Sequence, residues 1–316
     1  MGMSKLSDGS ATWTAERLVA HPAFDRAIRE QARLLLQAYD ADPKLSSVFG
    51  TQQRWLMAQA ALGIYFRALT AGQAGDITAA RLFDLVTRHD IASRNTADAF
   101  LKEMLKYGHA RQGIDSVDRR RRPVQPTENA VDAINGWVGI HLATLDKLDR
   151  GGRLEKFLAT PGALFDLQPR IADGLMSSNS VRRPERTFSL FTWLDNGGVA
   201  MDRLMAGVAE GEPGAERLAT QVLSVADMAQ WLRLSRTHLK RKLAQAEALG
   251  SLGWQGKRGD SAMWVSAAFC REYANAQAEK LAIIDRAFTA CLRRDGIETP
   301  NATAADERPP PRSLAN

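Results

Sequence analysis

Cysteine is scarce in this chain: among 316 residues, only Cys270 and Cys291 are cysteines. They lie 21 positions apart on a stretch with a helical period, a separation too large for a disulfide bond between them. The sequence therefore excludes a disulfide framework and a cysteine-rich zinc site. We expect a reducing, cytoplasmic compartment.

Long apolar runs and export signals are also missing. No window approaches the roughly 18 uninterrupted apolar residues of a membrane span, and Met1 to Thr14 lacks the charged-then-apolar pattern of a signal peptide. Hydrophobic (45%) and charged (25%) residues occur in average globular proportions, which excludes wholesale disorder. We expect two packed units and no membrane partner, because the length is about twice that of a typical domain.

Recognisable catalytic motifs are absent as well. The chain has no glycine-rich dinucleotide-binding run, no phosphate-binding Gly-Lys-Ser/Thr loop and no Gly-x-Ser-x-Gly nucleophile turn. Its five histidines are scattered one per predicted element, without a second ligand at metal spacing: His21, His89, His109, His141 and His238. The sequence therefore predicts a protein that is not an enzyme, with no metal and no cofactor.

The positive charge that the chain does carry is concentrated in two places. The formal net charge is +6, and residues 78–126 and 224–266 each hold a net charge of +4. The remainder of the chain is therefore slightly acidic. Two separate basic stretches favour an acidic partner, and a nucleic-acid phosphate backbone is one such partner.

The chain also repeats itself. The shift that superposes Pro22 on Pro161 places residues 18–22 on residues 157–161, and the same shift places residues 143–147 on residues 282–286. Slightly shorter and longer shifts align further small and apolar residues between these two matches. Because the matches keep their order along the chain, we interpret them as a duplication with small insertions in turns.

The duplication predicts two copies, residues 14–150 and residues 153–290. Residues 1–13 are expected to form a flexible N-terminus, and residues 295–316, with three consecutive prolines, are typical of a disordered tail. The sequence permits further pairing of two chains but does not require it.

Each copy has amphipathic helices on both sides of its basic stretch. Within the stretch, Ser93 and Ser235 begin a second helix after a short first one, and Gly108 and Gly250 end it. Extended or hairpin segments follow. This order predicts a mainly α fold with small β-wings: two tandem winged helix-turn-helix domains with flanking dimerisation-type helices.

A helix that enters the major groove needs polar side chains at its N-terminus, and basic side chains further along it contact phosphates. Both copies meet this requirement, and we predict base reading by Arg94, Asn95, Arg236, Thr237 and His238. In the first copy the candidate DNA contacts are Ser93, Arg94, Asn95, Thr96, Lys102, Lys106, Arg111, Arg119, Arg120, Arg121 and Arg122. In the second copy they are Ser235, Arg236, Thr237, His238, Lys240, Arg241, Lys242, Lys257 and Arg258. A solvated helix start with ordinary caps is the alternative explanation.

The sequence Asp118-Arg119-Arg120-Arg121-Arg122, followed by Val124 and Thr127-Glu128, resembles the wing signature of MarR-family transcription regulators. Pro123, Asn129 and Ala130 depart from that pattern. The resemblance covers residues 50–150. The second copy resembles the family mainly because it repeats the first copy.

The resemblance implies a sequence-specific regulator of transcription, repressor-like, that binds double-stranded DNA as a fused pseudo-dimer. Residues 14–70 and 128–150 would then pack against residues 153–207 and 267–290. It also implies a small-molecule effector bound in a cavity, or oxidant sensing through a cysteine such as Cys270. The candidate cavity residues are Trp55, Tyr65, Trp137 and Trp193, and a buried core role is the alternative for each.

Two other functions fit the same pattern. A plasmid-type replication initiator also carries two winged domains on one chain, and it would bind direct repeats. An interaction scaffold would keep the winged fold without touching DNA, and the acidic residues Asp98 and Glu103 in the first copy are compatible with it.

Overall fold

The computed structural model describes residues 12–43, 49–73, 75–113, 122–184, 186–208, 214–258 and 261–292. Within these ranges the chain is mainly helical and contains small antiparallel sheets. The predicted mainly helical composition with small β-elements is therefore confirmed. We refer to residues 12–149 as the first half and to residues 153–292 as the second half.

Among its described residues, the first half begins with three helices, continues with two shorter ones and a pair of strands, and ends with a long helix. In chain order these elements are α1 (Ala15–Val19), α2 (Phe24–Ala41), α3 (Gln52–Thr70), α4 (Ala79–Arg88), α5 (Arg94–Lys106), β1 (Ala110–Gln112), β2 (Val124–Pro126) and α6 (Glu128–Asp149).

The second half has the same general order, with a broken third helix and an additional strand. Its elements are α7 (Arg153–Ala159), α8 (Ala163–Ser177), α9 (Asn179–Arg182), α10 (Arg186–Thr192), α11 (Gly197–Ala206), β3 (Arg217–Ala219), α12 (Val225–Trp231), α13 (Arg236–Ala248), β4 (Leu252–Trp254), β5 (Met263–Ser266) and α14 (Ala267–Leu292).

The helices α5 and α13 begin and end as their sequences predict. The hydroxyl of Ser93 accepts a hydrogen bond from the backbone N–H of Thr96 at 3.2 Å, and Ser235 caps α13 in the same way. After each helix, a glycine with positive φ turns the chain: Gly108 at 75° and Gly250 at 68°. Glycine adopts this left-handed conformation without steric cost, so it ends both helices at the same point.

The small sheets also follow one pattern. In the second half, β5 lies between β3 and β4 and is antiparallel to both. In the first half, β2 pairs with β1 and also with Ile77, which lies before α4 just as β3 lies before α12. A strand segment, two helices and an antiparallel strand pair therefore occur in this order in each half.

The two halves pack against each other reciprocally. Helix α1 of the first half contacts α14 of the second, and α7 of the second contacts α6 of the first. In the same way α2 contacts α11, while α3 contacts α8, and α6 and α14 contact each other. Such exchanged contacts are those of an approximate two-fold relation between the halves. Their apolar side chains form one continuous core.

Two aspartates that the repeat superposes bind backbone N–H groups at the start of the first helix of the opposite half. Asp146 on α6 accepts from the backbone N–H of Arg153 at 2.9 Å, and Asp285 on α14 accepts from that of Trp13 at 2.6 Å. The fully buried Asp285 also accepts from Nε of Arg153 at 2.7 Å. Asp149 completes this cluster by accepting from the other end of the same guanidinium.

Helix α3 of the first half is continuous, whereas the corresponding stretch of the second half is broken into α10 and α11. Gly63 on α3 faces Ala172 on α8, and a Cβ added at Gly63 would lie only 2.7 Å from the Ala172 Cβ. In the second half the corresponding helix is interrupted before Gly197, where an added Cβ would overlap the carbonyl oxygen of Phe191. Asn196, with φ of 56°, makes the turn.

Candidate functional site

The N-terminus of α5 presents the predicted polar side chains to solvent. Ser93, Arg94, Asn95 and Thr96 are all exposed. Two of them also stabilise the helix start, because the Ser93 and Thr96 hydroxyls are hydrogen-bonded at 2.9 Å. The guanidinium of Arg94 lies 5.8 Å from the centroid of the Phe83 ring on α4. Arg94 and Asn95 are therefore the side chains at this end that are not used for capping.

The N-terminus of α13 has the same arrangement with more positive charge. Ser235, Arg236 and Thr237 are exposed and His238 is half-buried. Further along α13, Lys240 and Arg241 are exposed and Lys242 is half-buried. Helix α13 carries a net charge of +3, whereas α5 carries +1.

Acidic neighbours reduce the positive potential of α5 further. Nζ of Lys102 lies 2.6 Å from Oδ2 of Asp98, and Arg54 of α3 forms an ion pair with Glu103. Lys106 is exposed, with its ammonium 5.6 Å from the Tyr107 ring centroid. The single acidic residue of α13, Glu247, is paired with Arg258. Helix α13 therefore offers a stronger cationic surface than helix α5.

The predicted wings are described only in part. Arg111 on β1 and Arg122 just before β2 lie within the described ranges, and Arg111 is exposed. Arg119, Arg120 and Arg121 lie outside the described residues. In the second half, Lys257 and Arg258 are both exposed between β4 and β5, and the ion pair of Arg258 with Glu247 connects this loop to α13.

A cavity of about 690 Å³ is lined by α5, by the strands β1 and β2 and by the long helices α2, α3, α6 and α14. It is lined mainly by apolar groups, including Phe100 and Met104 of α5. Trp55 and Trp137, two of the predicted cavity residues, meet in its wall with ring centroids 6.0 Å apart.

The other two predicted cavity residues lie elsewhere. Tyr65 is half-buried beside Phe66 and is not part of the lining. Trp193 is 65% exposed and is also outside the lining. It follows α10 directly, where the break before α11 interrupts the buried face and leaves its indole at the surface. The prediction is therefore wrong for Tyr65 and Trp193.

The cavity also has a polar end that the sequence analysis missed. Asp202 on α11 and Lys280 on α14 both line it and are only partly buried, since the cavity exposes them. Oδ1 of Asp202 accepts a hydrogen bond from the hydroxyl of Tyr273 at 2.6 Å. The signal that could have revealed this end is the spacing of Tyr273, Gln277 and Lys280, which places three polar residues on one stripe of α14.

Burial shifts the ionisation of both charged groups. It raises the pKa of Asp202 to about 6, against the hydrogen bond from Tyr273 and the charge of Lys280. It lowers the pKa of Lys280, against the charge of Asp202. Asp202 and Lys280 therefore interact electrostatically, although no direct ion pair within 4.0 Å joins them among the described residues.

His141 on α6 lies behind this end of the cavity and is fully buried. Its Nδ1 is 2.8 Å from the carbonyl oxygen of Trp137, and its Nε2 has no hydrogen-bond partner in the described structure. Burial lowers the pKa of His141 to about 3, and the positive charge of Lys280 acts in the same direction. The imidazole is therefore neutral in the folded protein at neutral and mildly acidic pH.

We expect His141→Gln to reduce the acid sensitivity of the fold. Below about pH 6.5 the unfolded chain binds a proton at this histidine that the folded chain does not, so the parent loses stability as the pH falls. This contribution amounts to about 1.4 kcal/mol per pH unit between pH 6 and pH 4. Urea unfolding at several pH values measures the slope. The half-buried His89 serves as the control in His89→Gln, and equal slopes for both variants would contradict the prediction.

The two cysteines are half-buried and poorly suited to oxidant sensing. Burial raises the pKa of Cys270 to about 11, and it also raises the pKa of Cys291. The thiolate is the reactive form of cysteine, so a raised pKa lowers reactivity at neutral pH. The depressed thiol pKa that an oxidant sensor at Cys270 would need is not found.

Neither a membrane span nor a metal cluster is found in the described part of the chain. None of its helices combines the length and the apolarity needed to cross a bilayer. No three histidine, cysteine or acidic side chains within it are grouped so that they could hold a metal ion. Comparison with protein-family models, with curated proteins and with solved structures gives no match to this chain.

Proposed function

We propose that the protein is a non-catalytic, sequence-specific regulator of transcription that binds double-stranded DNA through two winged helix-turn-helix units. The observation that carries the proposal is the repeated order of a strand segment, two helices and an antiparallel strand pair. In each repeat the second helix has an exposed, polar N-terminus. These are the parts of a winged helix, in which that helix enters the major groove.

The reciprocal packing of the halves supports the fused pseudo-dimer implied by the resemblance to the MarR family. Because the halves have an approximate two-fold relation, their DNA-reading helices α5 and α13 share that relation. Two-fold related readers match inverted half-sites, whereas a replication initiator on direct repeats needs readers related by translation. The packing therefore favours the regulator over the initiator.

Hydrogen bonds between the halves also support each helix-turn-helix. The hydroxyl of Tyr39 at the end of α2 donates to the carbonyl oxygen of Trp231 at 3.2 Å, and the Trp231 indole donates to Asp40. On the other side, Arg182 of α9 donates to the carbonyl oxygen of His89 at 2.7 Å. Each half thus holds the turn between the two helices of the other half, which constrains the spacing of the readers.

Selection of bound fragments from a random pool of double-stranded DNA at physiological salt tests the proposal. We expect an inverted but unequal pair of half-sites, because α5 and α13 differ at most exposed positions. Arg94→Ala and Arg236→Ala should each relax preference at one half-site only, by about 5- to 150-fold against the parent. Arg67→Ala, which removes an exposed arginine of α3, is the control.

The other outcomes distinguish the rival functions. Selection of direct repeats would contradict the regulator proposal and favour a replication initiator. An empty selection with folded protein would contradict DNA binding and favour the interaction scaffold.

A further inference from the structure

We infer that the cavity binds one zwitterionic aromatic small molecule per chain, with the ligand's carboxylate on Lys280, its ammonium on Asp202 and its ring against Trp55 and Trp137. The binding inference stands without DNA binding. Only the role of the ligand as an effector rests on the proposed function.

The size and walls of the cavity suit a small aromatic molecule. A volume of about 690 Å³ is within the range of ligand pockets, which are typically about 300–1,000 Å³. The lining is mostly apolar, and Trp55 and Trp137 present two indole rings to it. Such walls bind a flat apolar body by burial of its surface and by ring packing.

The polar end requires a ligand with both charges. Lys280 donates no hydrogen bond to any described residue, and Asp202 uses one carboxylate oxygen for the hydroxyl of Tyr273. Buried charges are stabilised only when they are paired and hydrogen-bonded. These two opposite charges interact electrostatically but are not in direct contact. A headgroup that carries an acceptor for Lys280 and a donor for Asp202 can therefore pair with both residues at once.

Ligands with a single charge fit this end less well. An anion that pairs with Lys280 places its negative charge near Asp202 and near Glu279, which also lines the cavity. A cation that pairs with Asp202 leaves Lys280 unpaired and adds a like charge beside it. The zwitterion avoids both repulsions.

The duplication supplies this end of the site only once. The shift that superposes Asp146 on Asp285, which have equivalent roles, also superposes His141 on Lys280 and Trp137 on Ala276. His141 is fully buried and outside the lining. Neither Lys280 nor Trp137 therefore has a counterpart of its own type in the other half. This gives one site per chain and places it against the weaker DNA-reading helix, α5.

Isothermal titration calorimetry of the full chain, without DNA, tests the inference with three probes that share one ring system: L-tryptophan, tryptamine and indole-3-propionate. We expect L-tryptophan to bind with a stoichiometry of one. Each analogue lacks one charged hydrogen-bonding partner and should bind about 10- to 100-fold more weakly.

Two variants test which residue binds the carboxylate of the ligand and which binds its ammonium group. Lys280→Met should weaken L-tryptophan by at least about tenfold but leave tryptamine within about threefold, since tryptamine has no carboxylate. Asp202→Asn should weaken L-tryptophan while sparing indole-3-propionate. Lys156→Met replaces a half-buried lysine outside the lining and is the matched control.

The ranking of the three probes on the parent chain decides the inference even where a variant does not fold. Absence of binding heat with all three probes, equal or tighter binding of either analogue, or two L-tryptophan molecules per chain would each overturn it. Failure of the DNA selection alone would leave the ligand inference standing.

Discussion

Asp285→Ala is expected to lower the free energy of unfolding by about 3 kcal/mol. The fully buried Asp285 carboxylate accepts from Nε of Arg153 at 2.7 Å and from the backbone N–H of Trp13 at 2.6 Å. Its removal leaves the Trp13 N–H without this acceptor. Arg153, which is only 5% exposed, then has only the carboxylates of α6 as ion-pair partners. The loss of a buried charged partner is much more costly than the loss of a surface ion pair.

Asp146→Ala is the matched control, because Asp146 occupies the corresponding position in the first half. It accepts from the backbone N–H groups of Arg153 and Leu154 and, at 3.2 Å, from Nη1 of Arg153. Its side chain is 19% exposed, so water can replace part of these interactions. We expect a loss of about 1 kcal/mol, as for removal of a helix cap. Guanidinium unfolding curves measure both values, and a loss for Asp285→Ala no larger than that for Asp146→Ala would contradict the buried-cluster argument.

The double substitution Lys240→Ala with Arg241→Ala is expected to weaken binding to DNA of any sequence by about 10- to 100-fold near 0.1 M salt. Both side chains are exposed on α13, beyond the capped N-terminus, where basic groups contact phosphates. The slope of log affinity against log salt is negative, and each phosphate that is no longer neutralised reduces its magnitude by about 0.9. The magnitude should therefore fall by about 2.

The corresponding change in the first half, Lys102→Ala with Lys106→Ala, should have a smaller effect. Lys102 is already paired with Asp98, and α5 has a lower net charge than α13. We expect the magnitude of the salt slope to fall by less than about 1. Fluorescence anisotropy with a fixed duplex over a salt series measures the slopes of the parent and of both double variants. Equal slopes for the two double variants would mean that the charge difference between α5 and α13 does not govern affinity.

Local signals made part of the fold predictable. A serine that caps a helix and a glycine that ends it act through bonds within a few residues, so Ser93, Gly108, Ser235 and Gly250 could be assigned from the sequence alone. Spacing of apolar residues indicated which stretches are helical because one buried face imposes a period. Gly197 and Gly198 indicated either close helix packing or a kink, and residue type alone does not decide between them, since the break depends on a backbone turn at Asn196 that asparagine tolerates but does not require.

The candidate DNA-reading surface was predictable for a related reason. Its side chains lie on the first turns of two helices, and polarity and charge at a helix start are visible in sequence. The cavity was only partly predictable. Trp55 and Trp137 line it, whereas Trp193, a residue of the same type in another helical stretch, is at the surface. Residue type indicates a tendency to be buried but not the partner that a residue meets.

The sequence alone determined the mainly helical character of the chain, the positions of its basic stretches and the ends of α5 and α13, because each depends on residues that are close together along the chain. Only the tertiary structure decided the pairing of Asp285 with Arg153 and the meeting of Asp202 with Lys280 at one end of a cavity. The members of both pairs lie on different helices that are far apart along the chain. The proximity of the members of each pair results from the packing of those helices, for which no local pattern specifies the partner.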